Sequence, residues 1–257
     1  MTAGSLVSLL LSVVGCSTEP RIEGQVVDVW GNPIAGATIV LEGQSERPLS
    51  DDNGRFSLPM QFGTLRMKAG REGYIQEHIE LESPEAGPPP KAVFELFPKP
   101  EEAGFYVVGT SEYHRLGPQP VSQLGNALEN VRGIPAIGDA EAEGTHLRVL
   151  FHTPLKMDQV MRLGLQLHRL EYVHQKSMIG PLDANTPVDV NLWTSVSAVE
   201  TEVEPLRSRN DYLIESKGDL EPGAYAFDTQ GLLTVGRTEV FDEIPVPLRV
   251  AYALEIR

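Results

Sequence analysis

The chain has 257 residues, 41% of them hydrophobic and 22% charged, enough to bury one or two cores at roughly 150 residues per domain. Asp and Glu number 36 against 21 Lys and Arg, and the resulting net charge of −15 repels phosphate backbones, which speaks against nucleic acid as a partner. Glycine (24) and proline (20) favour a turn-rich fold over long helical bundles, and a single cysteine excludes an intramolecular disulfide or a CxxC metal or redox site.

Residues 1–15 carry no charged side chain, and residues 5–14 form an apolar run that closes on Gly15 and Cys16. The run falls short of the roughly 20 residues a membrane span needs and matches the apolar core of a secretory signal peptide. Val13, Val14, Gly15 and Cys16 resemble the lipobox of bacterial lipoproteins. That resemblance implies a cleaved signal over 1–15, lipid attachment at Cys16 and a short tether over 16–20. It also implies the membrane as a partner through the anchor. Ser17 stands where Asp would imply the inner membrane, so the resemblance implies the outer membrane of the cell envelope. Two or more acyl chains make such anchoring stable, whereas one chain is marginal.

From Arg21 to Glu82, short β-rich runs alternate with turn signals every eight to twelve residues, the spacing of an all-β sandwich. RIEGQVVDV reads as one arm of a hairpin across Trp30, Gly31, Asn32 and Pro33, with IAGATIVLEG as the other. Asp51, Asp52, Asn53 and Gly54 form a tight polar turn before the strand RFSLPM. TLRMKA, a turn at 70–73 and YIQEHIEL supply two more strands, with Tyr74 and Ile79 as core or seam residues. The series GQVVDVWGNPIAGATIVLEG, SDDNGRFSLP and GREGYIQEHIEL resembles the carboxypeptidase regulatory-like domain. The resemblance covers residues 21–98. It implies a transthyretin-like β-sandwich of the carbohydrate-binding-like class, a module that is usually non-catalytic and accompanies enzymes, receptors and surface proteins.

SPEAGPPPK precedes a last strand, AVFELF, and the proline- and charge-rich stretch 99–104 reads as a linker. Residues 105–257 read as a second, mainly β domain, with strands at FYVVGT, HLRVLFH, RLGLQLHRLEYV, VDVNLWTSV, DYLIES, GAYAF, LLTVG and PLRVAYALEI. Leu248, Val250, Tyr252, Leu254 and Ile256 share one face of a half-buried last strand. Leu220, Glu221, Pro222 and Gly223 form a turn that predicts a hairpin between DYLIES and AYAF, and VSQLGNALENV is a helical candidate. Both halves are acidic, a pattern that a soluble exterior explains without a partner.

His168, Arg169, Leu170 and Glu171 spell HxxE, but the later His174 is too near for a metallocarboxypeptidase zinc site. On a strand, His168 and His174 face away from Glu171; on a helix the two imidazoles lie about 240° apart. Counting Asp51 as the start of a calcium loop puts Phe56 at the glycine position and Phe62 at the glutamate position, so no such loop forms. GxSxG, HExxH, Walker A and GxGxxG are absent. The sequence therefore predicts a non-enzymatic module without cofactor or metal, binding a glycan or an envelope protein. Trp30, at a turn tip, is the candidate ligand contact. Trp193 belongs to the core or a sheet face, while Phe105, Tyr106 and Tyr113 line a cleft or seal the interdomain contact. The alternative is a hydrolase with its site in the carboxy-terminal half, marked by a deep pocket near His146, His152 or His168.

Overall fold

The computed structural model describes residues 20–125, 130–179, 186–234 and 238–257. Cys16 and the signal segment 1–15 lie outside the described residues. Among those described, no helix is long and apolar enough to cross a membrane. The first unit has six strands, β1 (Arg21–Asp28), β2 (Thr38–Leu41), β3 (Arg55–Pro59), β4 (Gly63–Gly70), β5 (Glu77–Ser83) and β6 (Lys91–Leu96). They form two three-stranded sheets, in the orders β3-β1-β6 and β2-β4-β5, with only β1 and β6 parallel. Alternation places Ile22, Val26, Phe56, Leu58, Phe94 and Leu96 of one sheet against Ile39, Leu41, Leu65 and Met67 of the other. The result is a β-sandwich with one core.

The expected hairpin of RIEGQVVDV with the next strand does not form. Val27 meets Pro33 in a single bridge, then the chain crosses to the opposite sheet, where β2 pairs with β4. Alternation identifies an inward face and leaves open which sheet the strand joins. The crossing is held by buried Ser50, whose hydroxyl donates to the Ile34 carbonyl at 2.6 Å and accepts the Ala37 amide at 2.9 Å. Gly54, at φ 73°, ends the polar turn in the left-handed region, and a Cβ there would lie 2.3 Å from the Val26 carbonyl oxygen.

The second unit contains β7 (Gly104–Val108), β8 (Tyr113–Arg115), β9 (Pro118–Pro120), β10 (Ser122–Gly125), β11 (Asn130–Gly133), β12 (Glu141–Ala142) and β13 (Arg148–His152). A short helix, α1 (Met157–Arg162), precedes the long strands β14 (Gln166–Ile179) and β15 (Thr186–Val199). β16 (Thr201–Pro205), β17 (Asp211–Ser216), β18 (Gly223–Asp228), α2 (Thr238–Glu243) and β19 (Val250–Ile256) complete it. A five-stranded sheet, β16-β17-β13-β7-β8, faces a six-stranded one built on β12-β19-β18-β14-β15 with β9 beside β19. Between them lie Phe105, Phe151, Tyr212, Leu167, Phe227 and Leu254, with the Phe105 and Phe151 rings stacked at 4.3 Å.

Three expectations change here. The segment proposed as a helix forms β10 and β11, antiparallel partners, with 126–129 outside the described residues. Its Leu124 and Val131 pair across strands and do not stack along a helix face. The chain from DYLIES to AYAF is an arch between sheets, because β17 and β18 belong to different ones. LLTVG supplies no strand in its described part; Leu232 and Leu233 cap the outer face of the six-stranded sheet, together with Val121, Ile134 and Phe241. That cap also buries the outward Ala251 and Ala253, so β19 is covered on both faces, and Leu248 lies exposed before it.

Candidate functional site

The two sandwiches meet along a seam. Asp28 shapes it: its carboxylate accepts the Trp30 and Asn32 amides at 2.9 Å each and the Asn32 side-chain amide at 3.0 Å, which fixes the turn that carries Trp30. The indole N–H donates to the Gly109 carbonyl at 3.1 Å, and the ring meets Tyr113 edge-on at 5.2 Å. Trp30 is thus half-buried against the second sandwich, with its polar edge already engaged. The Tyr113 hydroxyl donates to the Pro98 carbonyl. Burial first, then the Asp211 carboxylate, pushes its pKa well above the ordinary phenol value, so it remains a donor. Beneath these rings Ile75 and Phe97 of the first unit pack on Leu150 and Leu213 of the second, with Tyr106 alongside. Arg148 lies over Phe97 at 5.3 Å and ion-pairs across the seam with Glu95 at 2.6 Å. Phe105 points the other way, into the core of the second sandwich.

Beside the seam runs a groove in two contiguous parts, of about 540 and 460 Å³, which share His78, Ile79 and Arg207. The larger part lies between Val93 and Phe97 of the first unit and Leu206, Leu213 and Glu204 of the second. The smaller climbs the outer face of the β2-β4-β5 sheet over Val40, Arg66, Lys68 and Glu80. On that face Arg66 pairs with Glu80 at 2.9 Å and Glu42 at 3.8 Å. Lys68 stands directly opposite His78 in the β4–β5 register. Burial, then Arg207 and Lys68, hold the His78 pKa below its ordinary value, and burial lifts that of Glu77 above the usual carboxylate range.

The histidines singled out by sequence do not converge. His152 Nδ1 is 2.6 Å from buried Asp211, which also accepts the Ser208 hydroxyl. His168 Nδ1 is 2.8 Å from the Ser195 hydroxyl, and Nε2 is 3.3 Å from Asp228. Serine, histidine and carboxylate are therefore in a row, but His168 is 2% and Asp228 0% exposed, beneath the cap in which Asp228 also accepts the Leu233 amide. An imidazole sealed in this way has no path to a substrate. His174 is on the surface with Asn191, Glu171 is exposed, and His146 sits 3.8 Å from Glu215. Among the described residues, no group of three His, Cys, Asp or Glu side chains is placed to hold a metal. Asp51 instead accepts the Asn53 and Arg55 amides, as a turn former does. Trp193 lies on the face of β15 that meets the cap, partly buried and 5.4 Å from its cross-strand partner Tyr172.

The groove residues Lys68, His78 and Arg207 were not singled out by sequence. Their only signal was that Lys68 and His78 occupy outward positions of alternating strands; Arg207, in a connection, carried none.

A candidate carbohydrate binding protein from Bacteroides uniformis shares 12% identity over 85% of this chain and 94% of its own, with a TM-score of 0.25. The major pilin subunit BcpA of Bacillus cereus shares 9% identity over 92% of this chain and 68% of its own, also at 0.25. At these scores neither likeness bears on the fold or the ligand. No curated protein matches the chain. The family model of the carboxypeptidase regulatory-like domain matches residues 21–96, from the first residue of β1 to the last of β6. The amino-terminal sandwich is therefore a carboxypeptidase regulatory-like domain, joined through an apolar seam to a second β-sandwich.

Proposed function

We propose that this protein is a non-catalytic lipoprotein of the bacterial outer membrane, held by acyl chains on Cys16, that presents the groove beside its seam to a glycan or an envelope protein. The observation that carries the reading is the groove itself. It is open, joins apolar Val93 and Ile79 to charged side chains from both sandwiches, and lies apart from the sealed His168 and Asp228. A surface of that kind grips a ligand without positioning a nucleophile beside a base. The anchor rests on the lipobox resemblance and on the place of Cys16 next to an apolar leader.

Fractionation tests the tether. Wild-type protein should incorporate labelled fatty acid and sediment with outer membranes, whereas Cys16→Ser should lose the label and leave the membrane fraction. Equal sedimentation of both proteins would remove the anchor.

A further inference from the structure

We propose that Lys68, His78 and Arg207 form an anion subsite in the groove, which takes a compact carboxylate- or phosphate-bearing group on an otherwise uncharged ligand. The proposal rests on the groove being the binding surface and adds the chemistry it selects. Lys68 and His78 are cross-strand partners on the outward face of β4 and β5, with Val40 on the far side of Lys68. Arg207 reaches the same cavity from the connection after β16. Among the described residues, neither Lys68 nor Arg207 makes an ion pair or a side-chain hydrogen bond, whereas Arg66, next along the same face, is paired with Glu42 and Glu80.

Lys68 and Arg207 are two like charges lining one cavity, and the His78 imidazole shares it with them as a hydrogen-bonding group. Of the carboxylates that line the groove, Glu42 and Glu80 pair with Arg66 and Glu95 with Arg148; Glu77 and Glu204 line its larger part without an ion pair to Lys68 or Arg207, although Glu77 is near enough to Arg207 for the guanidinium to lower its pKa. Burial first, and then Arg207 and Lys68, hold His78 below its ordinary pKa, so a neutral imidazole stands beside the two cations. A bound anion would turn the repulsion between these cations into charge-assisted hydrogen bonds.

The rest of the chain limits what that anion is attached to. At a net charge of −15 the molecule repels an anionic bilayer or a long polyanion, so a single acidic group entering the groove is favoured over an extended charged surface. Val40, Ile79 and Val93, the last 59% exposed, then offer apolar contact to the uncharged remainder.

Calorimetric titration of the full-length protein in detergent tests this with three probes: inorganic phosphate, a galactose trimer ending in a single galacturonic acid and the uncharged galactose trimer. At least one acidic probe should bind, more weakly as salt is raised. Lys68→Gln and Arg207→Gln should each weaken it by about tenfold, while Arg162→Gln, on α1, should not. Phosphate binding identifies a phosphate-bearing ligand, and binding of the acidic sugar alone identifies a carboxylate. Failure of both at millimolar concentration, or equal affinity in Lys68→Gln with an unchanged melting temperature, overturns the subsite. Capture of the uncharged trimer unaffected by Lys68→Gln would overturn the anion chemistry and leave the groove as the binding surface.

Discussion

At the residue scale, polar groups near the seam and groove owe their state to neighbours far away in sequence. Trp30 was legible as a turn-tip aromatic, yet its indole bonds to Gly109, 79 positions on, and no local pattern foretells that. His168 and Asp228 lie on different strands of one sheet, β14 and β18, and are buried by a cap that reads as another strand in the sequence. Glu77 offers a measurable consequence. Burial is the largest influence on its carboxyl and raises the pKa, against the lowering effects of the His78 backbone and Arg207. A raised folded-state pKa means the folded chain holds that proton more tightly. The contribution to stability is then complete below the unfolded value and is lost as pH rises through the folded one. Glu77→Gln mimics the protonated acid, so it should raise the melting temperature by about 2 °C near neutral pH and leave it unchanged near pH 3.5. Equal melting shifts at both pH values would show that the carboxyl is not desolvated.

At the element scale, strand positions and inward faces followed from alternation, while pairing did not. β1 and β2 looked like two arms of one hairpin because a tight turn joins them, but their apolar faces oppose each other across the core. β10 and β11 looked helical because leucine and valine spacing over so short a segment fits both periods. What holds β11 in place is its end: Ile134 and Trp193 exchange two backbone hydrogen bonds, of 3.0 and 2.9 Å. Gly133 permits this approach, since a Cβ there would lie 2.3 Å from the Trp193 carbonyl oxygen. Gly133→Ala should therefore cost about 2–3 kcal/mol in urea unfolding and shift the emission of Trp193. Unaltered stability would mean that the strand moves aside freely.

At the scale of the whole molecule, the apolar seam makes two sandwiches behave as one body. Ile75 is 4% and Leu150 0% exposed at their contact, too dry for a flexible tandem of independent modules. The wild type should unfold in a single calorimetric transition. Ile75→Asp places a charge in the seam without touching either sandwich core. It should cost about 3 kcal/mol and split the melt into two transitions. A single melt in that variant would show that coupling runs through the polar rim of Trp30, Tyr113 and Arg148 instead. The groove depends on the same geometry, because Arg207 and Leu213 come from one sandwich and His78 and Val93 from the other.

Composition and period-two patterning by themselves determined an all-β chain, the inward residues of most strands and the polar turn at Asp51. Each of these is set within a few residues, by turn chemistry and by the alternation of side chains across a pleated strand. The tertiary structure alone decided which sheet each strand joins, that Ala251 and Ala253 are buried, and that Lys68, His78 and Arg207 share one cavity. Those outcomes depend on contacts between residues distant in the chain. The burial of a second face, or the meeting of like charges, is settled only when separate segments compete for the same apolar surface.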